Sequence, residues 1–452
     1  MKSCLFALIA LLTIGCGVGP SDPGDPPQPL LRKTVVWVSG AVDEDVAPKL
    51  KRAGVDLLVV RRGSIDLTTG SPVIKVDPAP SIAGEIPVSA ALRIESGSVE
   101  LTSEAASTLW RGLAPVVGST TAEIIIDVPT LSPGIAAFVR TLDQVSGLRV
   151  VPILTVNQIR NDRGLKLAKA AGTIIVPLFG PGAVGLRGVG DAANDPLAER
   201  LTSLVGTGVR VRAGIVLAPR TEPKLEQWPE GLDRLCDGDQ VQISTASKLD
   251  RAFVFQKPMV WSGRQWSAGD RFEAQWMDAV RLDSAFGEID SILLPEVAGW
   301  DLVTLPPEDG ALGIDRHALF AYLEGQGPAP MLDVKLRRQG RSLRLSVVNQ
   351  SPFVSVVSGH GNWLEVSLES GYLVADSPGT FDRIELGKRV GDQWKSGIGS
   401  GVNAVRFTEI VVGAQETLTT GVIRLPSSRS RVRVRWSVTL SDGEVVSGEL
   451  EG

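Results

Sequence analysis

Residues 122–128 read Ala122-Glu123-Ile124-Ile125-Ile126-Asp127-Val128. Three β-branched residues in succession are apolar on both faces of an extended chain. That is the pattern of a strand covered on both sides. A helical pattern follows from about Pro133 to Val145, then a strand over Leu148–Val156. Helix Arg163–Ala171 comes next, stopped by Gly172, and then strand Thr173–Leu178. The alternation continues upstream. Thr34–Val38 (TVVWV) is a buried-strand run, Asp43–Ala53 has helical spacing ending at Gly54, and Val55–Val60 and Ile86–Ile94 are strands. A helix is expected from about Ser103 to Val117. Downstream, helix Pro196–Val205 leads into strand Val209–Leu217. Trp300–Leu305 supplies an eighth strand, followed by helix Asp315–Glu324.

Eight apolar strands alternating with helices over residues 34–325 predict an α/β fold, a divergent (β/α)8 TIM-like barrel. A doubly wound open sheet is the alternative. Val38-Ser39-Gly40-Ala41-Val42 lacks the G-x-G-x-x-G pattern, so no nucleotide cofactor is read here, and none of another kind is expected. The rhythm breaks at about 220–298. This insertion carries Trp228, Trp261, Trp266 and Trp276 and falls between the seventh and eighth strands, over the face where barrel sites form. Gly325-Gln326-Gly327-Pro328-Ala329-Pro330 is a linker. Residues 331–452 then read as short strands: Leu332–Leu336, Ser342–Val348, Trp363–Leu368, Val405–Val411, Leu418–Leu425, Val432–Leu440 and Val445–Leu450. An all-β, immunoglobulin-like sandwich is expected. The alternation Arg429-x-Arg431-Val432-Arg433-Val434-Arg435 lines arginines along one strand face, which is either simply solvated or able to meet an anionic polymer.

The chain has 452 residues, 43% of them hydrophobic, and a formal net charge of −5. That balance offers no electrostatic case for nucleic acid. The N-terminus reads Met1-Lys2-Ser3-Cys4-Leu5-Phe6-Ala7-Leu8-Ile9-Ala10-Leu11-Leu12-Thr13-Ile14-Gly15-Cys16. Its apolar stretch is too short to span a bilayer, which takes roughly 20 residues. The segment resembles a bacterial lipoprotein signal peptide, with Thr13 where leucine is usual. The resemblance implies removal of residues 1–15, acylation of Cys16 and a membrane partner reached through that lipid. Gly17, where retention signals place aspartate, points to an outer-membrane address. An ordinary secretory signal is the alternative. Residues 16–33, rich in Pro and Gly, form a tether. With Cys4 removed and Cys16 lipidated, only Cys236 remains, so no intrachain disulfide is available. His317 and His360 fall in different expected domains, which leaves a metal site or a Ser-His-Asp triad poorly supported.

Three stretches carry a further likeness. Ile124-Ile125-Ile126-Asp127 runs into Val128-Pro129-Thr130. Leu148–Thr155 follows as a strand. Trp300-Asp301-Leu302-Val303-Thr304-Leu305-Pro306 precedes Asp309 and helix Ile314–Leu323. This order, over about Thr34 to Gly325, resembles an uncharacterised family of exported bacterial proteins, a domain of unknown function. The resemblance implies a barrel like that of glycoside hydrolases and supplies no activity.

Barrel sites form at the C-terminal ends of strands. Those ends carry Trp37 and Ser39, Arg61 and Arg62, Arg93 and Glu95, Asp127, Asn157 and Gln158, and Arg220. Two carboxylates flanking a glycosidic bond can serve as acid and nucleophile, or as acid and base. Asp127 is the leading candidate, with Glu95, Glu296 or Glu273 as partner. The competing reading has Asp127 capping the next helix or pairing with Arg61 or Arg93. Trp37, Arg61, Gln158, Trp261 and Trp266 are candidate ligand contacts, because indoles stack on sugar rings. Packing of the insertion onto the barrel explains the insertion tryptophans as well and is the preferred reading. The functional expectation is a lipid-anchored envelope protein, glycan-binding or glycoside-hydrolase-like. The alternative is a non-enzymatic module with an envelope protein partner.

Overall fold

The computed structural model describes residues 33–452 except 39–41, 43, 69–71, 77–85, 98, 118–120, 181–200, 225–239, 245–250, 292–296, 307, 309–312, 356–360, 398–400 and 410. The expected signal segment, the tether up to residue 32 and Cys16 lie outside the described residues. So do Ser39, Trp228, Cys236, Glu296 and His360.

Eight parallel strands close into a barrel: β1 (Lys33–Val38), β2 (Leu57–Asp66), β3 (Val88–Glu95), β4 (Thr121–Asp127), β5 (Arg149–Ile153), β6 (Thr173–Phe179), β7 (Arg210–Val216) and β8 (Val297–Val303). Each pairs with the next, and β8 pairs back onto β1 through Lys33↔Gly299 and Val35↔Asp301. The open-sheet alternative is thereby excluded. Gly299 makes the seam possible: φ is +155°, and a Cβ there would lie 2.2 Å from the Lys33 carbonyl oxygen.

The period-2 alternation of the strands divides their side chains into two cores. Val35, Leu57, Val59, Ala91, Ile125, Val151 and Ile175 meet inside the barrel. Val36, Leu58, Val60, Leu92, Ile124, Ile126, Val150 and Val176 point outward beneath the helices. Continuous apolar strands are the consequence, and each fully buried Val or Ile contributes about 1.5–3 kcal/mol.

The outer layer comprises α1 (Val46–Arg52), α2 (Ser103–Val117), α3 (Ile135–Ser146), the short α4 (Val156–Ile159), α5 (Asp162–Ala171), α6 (Ala279–Ser291) and α7 (Arg316–Leu323). Local chemistry sets their ends. Asn161 Oδ1 accepts the Arg163 N–H at 2.9 Å to start α5, and Gly172, at φ +70°, stops it. Beyond the expected end at Val60, β2 continues into an antiparallel ladder with Val73–Val76. Of the expected helix Pro196–Val205, residues 196–200 lie outside the described residues; Leu201 is helical and a 3-10 turn follows at Thr202–Leu204.

The insertion is a small antiparallel sheet of Val241–Ser244, Arg251–Phe255, Arg271–Gln275 and Arg220–Glu222, with a hairpin of Met259–Trp261 and Arg264–Trp266. Residues 331–452 form two antiparallel sheets over a shared core that includes Leu345, Val366, Phe407 and Val434. Their strands include Val374–Ala375, Arg383–Val390 and Gln393–Ser396, which the apolar pattern did not announce. In Arg383–Val390 only Ile384 and Leu386 pack toward the core, and the alternate positions are Glu385, Gly387 and Arg389. The expected strand Leu418–Leu425 is split into Thr417–Thr419 and Ile423–Arg424, and between them the Thr420 hydroxyl accepts the Leu345 N–H at 3.0 Å. The barrel, the insertion and these sheets form one compact unit over residues 32–452. Phe353 joins the barrel's outer core, Val354 and Val411 join the insertion's core, and the Ser441 hydroxyl donates to Asp278 at 2.8 Å.

Candidate functional site

The inward register carries polar side chains to the C-terminal mouth of the barrel. Trp37 is the last inward residue of β1, two positions after the interior Val35. Asp127 ends β4 two positions after Ile125, and Arg93 and Glu95 follow Ala91 on β3. Asp127 pairs in register with Arg93 on one side and with Ile153, the last residue of β5, on the other. Trp37 and Ile153 are the two partly buried members of the interior core. They mark the level at which the apolar filling meets the mouth.

Arg93 bridges the two acids. Its Nη1 lies 3.6 Å from Asp127 Oδ2, and its Nε lies 3.4 Å from Glu95 Oε1. The Asp127 side chain is 42% exposed. Burial nevertheless pushes its carboxyl above the ordinary value, against the opposing pull of Arg93 and Arg61. Asp127 caps no helix: the residue before α3 is Gly134, and no side chain caps that turn. Arg61 stands exposed on β2, near enough for its charge to act on Asp127.

Most of the other expected site residues are engaged in contacts of their own. Gln158 spends its amide on the backbone. Its Oε1 accepts the Thr155 N–H at 2.8 Å in a capping box with Thr155, and its Nε2 donates to the Val128 carbonyl at 2.8 Å. Asn157 is exposed. Trp266 is buried inside the insertion, stacked on Phe255 at 4.5 Å between centroids, and its indole N–H donates to the Trp261 carbonyl at 3.1 Å. Trp261 is half-buried with its ring 5.1 Å from Phe272. These contacts are packing within the insertion itself, not of the insertion onto the barrel as expected, and they leave Trp266 no face open to a ligand. Glu273 is 2.6 Å from Arg271 within the insertion sheet.

Three charged residues inside the barrel escaped the sequence reading as site residues. Arg212 on β7 donates from Nε and Nη2 to the two oxygens of Asp301 on β8, at 2.7 and 2.9 Å, and from Nη1 to Glu123 on β4. The Trp37 indole N–H donates to Asp301 Oδ1 at 2.8 Å. Asp301 is wholly buried. Burial works against its charge and pushes its carboxyl upward, while Arg212 and Trp37 pull the other way. Burial also pulls the Arg212 guanidinium down, but Asp301 and Glu123 outweigh it and hold it above its usual value. Three donors on one carboxylate, two of them from a bidentate guanidinium, give the pair its ionic character. The signal for this group was present in Val209-Arg210-Val211-Arg212, where arginines alternate on a buried strand. Recognising it requires knowing which face points inward.

Two arginines of the sandwich's arginine run are paired across strands. Arg433 and Arg435 pair with Glu449 at 2.9 and 2.8 Å, and Arg435 also reaches Asp392 at 3.1 Å. Among the described residues no group of three or more His, Cys, Asp or Glu is arranged to hold a metal. No helix of the described residues is long and apolar enough to cross a membrane.

No protein-family model matches the sequence, and comparison with curated proteins found no similar sequence. Solved structures similar to it include the chitinase ChiW of Paenibacillus sp. str. FPU-7, a bacterial cell-surface-expressed multi-modular enzyme. The TM-score is 0.42 at 12% identity, over 93% of this chain and 42% of that one. This chain therefore spans about two fifths of that enzyme. A GH30 endoxylanase of Clostridium papyrosolvens C71 is similar at TM-score 0.31 and 8% identity, over 88% and 97% of the two chains. The C-terminal domain of Legionella pneumophila ChiA is similar at TM-score 0.30 and 11% identity, over 60% and 92%. At these values the likenesses assign neither activity nor ligand to this chain.

Proposed function

We propose that this chain is a carbohydrate-directed protein of the bacterial cell envelope, anchored by lipid on Cys16, which binds a glycan at the C-terminal mouth of its barrel. One observation carries the reading. A half-buried indole, Trp37, and Ile153 top the interior core at the mouth to which Asp127, Arg93 and Glu95 are also carried, with Ile153 in register with Asp127 and the charge of Arg61 acting on Asp127. An apolar platform ringed by hydrogen-bonding groups suits a sugar, whose ring has an apolar face and a hydroxylated rim. The lipid anchor is supported by the sequence of residues 1–16.

Binding comes before turnover in this reading because Arg93 engages both acids and neither stands free as a nucleophile. A second reading, glycoside hydrolysis with Asp127 as the acid, is favoured by the upward push that burial gives its carboxyl, since a proton donor must retain its proton. A glycan array probed with residues 32–452, followed by Asp127→Asn, separates the two. A glycan bound by both proteins and cleaved by neither supports binding. Cleavage lost in the variant while binding persists supports hydrolysis. Failure of residues 32–452 to bind any glycan would reject both and favour an envelope protein as partner.

A further inference from the structure

The interior of a parallel barrel is normally filled by branched apolar side chains. Here Glu123, Arg212 and Asp301 occupy part of it, all three buried. Well-packed apolar residues would stabilise such a core at least as well as buried charges do. The charges therefore point to a requirement other than stability, and their geometry names it. Nε and Nη2 of Arg212 grip both Asp301 oxygens while Nη1 holds Glu123, so the guanidinium plane is fixed from two sides. Asp301 Oδ1, held in this way, accepts the Trp37 indole N–H at 2.8 Å. The chain of contacts runs from β4 through β7 and β8 to β1 and ends on the half-buried indole of Trp37.

We infer that Arg212 and Asp301 are positioning residues that lock the Trp37 ring as the floor of the mouth, with its one polar atom turned inward. The ligand class rests on the glycan-binding reading above; the locking does not. With its N–H already committed, the ring offers a ligand only π-face and C–H edge. The floor therefore selects the apolar face of a pyranose, and the hydroxyls of that sugar are left to Asp127, Arg93 and Glu95 at the rim.

The test uses full-length protein. Trp37→Phe identifies the near-ultraviolet circular dichroism of Trp37 by difference. Asp301→Asn then keeps the shape and one acceptor but removes the charge that Arg212 grips. The expected result is loss of most of the Trp37 signal with far-ultraviolet dichroism unchanged, and about tenfold weaker affinity for the glycan that the wild type binds. If Asp301→Asn does not fold, Glu123→Gln/Arg212→Met/Asp301→Asn removes all three charges together and is read in the same way. An unchanged Trp37 signal in the folded variant overturns the inference whether or not a glycan binds. Loss of the signal with undiminished affinity overturns the role in recognition. A wild type that binds no glycan, with the signal still lost in the variant, rejects the glycan reading and leaves the locking in place.

Discussion

Asp127 and Asp301 both point into the barrel, and burial acts on each with a different outcome. Asp127 lies at the open mouth, where Arg93 reaches it at 3.6 Å and water reaches both. An ion pair this exposed is worth about 0–1 kcal/mol. Because burial raises its folded-state pKa above the unfolded value, its contribution to stability is complete in acid and is lost as pH rises through the folded value. Urea unfolding of Asp127→Asn should therefore show a flatter decline in stability between acid and neutral pH than the wild type shows. A parallel decline would contradict the assignment. Asp301 has no water to fall back on. Arg212→Met strands its charge and should cost about 3–5 kcal/mol. Adding Asp301→Asn to that variant should restore part of the loss, as measured by urea midpoint at constant slope.

Strand β4 shows how one element serves two tasks. Ile124 and Ile126 feed the outer core and Ile125 the inner one, while Glu123 holds Arg212 deep in the barrel and Asp127 meets the mouth. Alternation from Glu123 to Asp127 does this, while the pairing with β3 shifts register between Val88↔Thr121 and Ala90↔Ile124. In the insertion, Phe253, Phe255, Trp266 and Phe272 form a closed aromatic group with stacked pairs at 4.5 and 4.6 Å. Trp266→Ala should destabilise the protein by about 3–5 kcal/mol in chemical denaturation. The glycan binding proposed for the mouth should be unchanged in the fraction that remains folded, because this core is separate from the barrel's interior core.

At the scale of the whole molecule, the insertion and the sandwich share apolar contacts through Val354 and Val411, and Asp278–Ser441 adds a hydrogen bond from the barrel side. If Cys16 carries the lipid, Cys16→Ser should move the protein from the membrane fraction to the soluble one; retention in the membrane would refute that anchor. Residue order carried the eight-strand rhythm, the break at the insertion and the change to β structure after Gly325. Each of these is a local pattern, set by side-chain periodicity and by where Gly and Pro end an element. It also placed Trp37, Glu95 and Asp127 at strand ends, whereas Arg61, read as an end, lies within β2 because that strand runs on to Asp66. Closure through β1 and β8, the inward direction of alternate residues and the meeting of Arg212 with Asp301 and Glu123 were decided only by the tertiary structure. Arg212 lies 89 residues from each of those acids in the chain. A contact made across a barrel depends on strand register and stagger, and neither leaves a trace in local residue order.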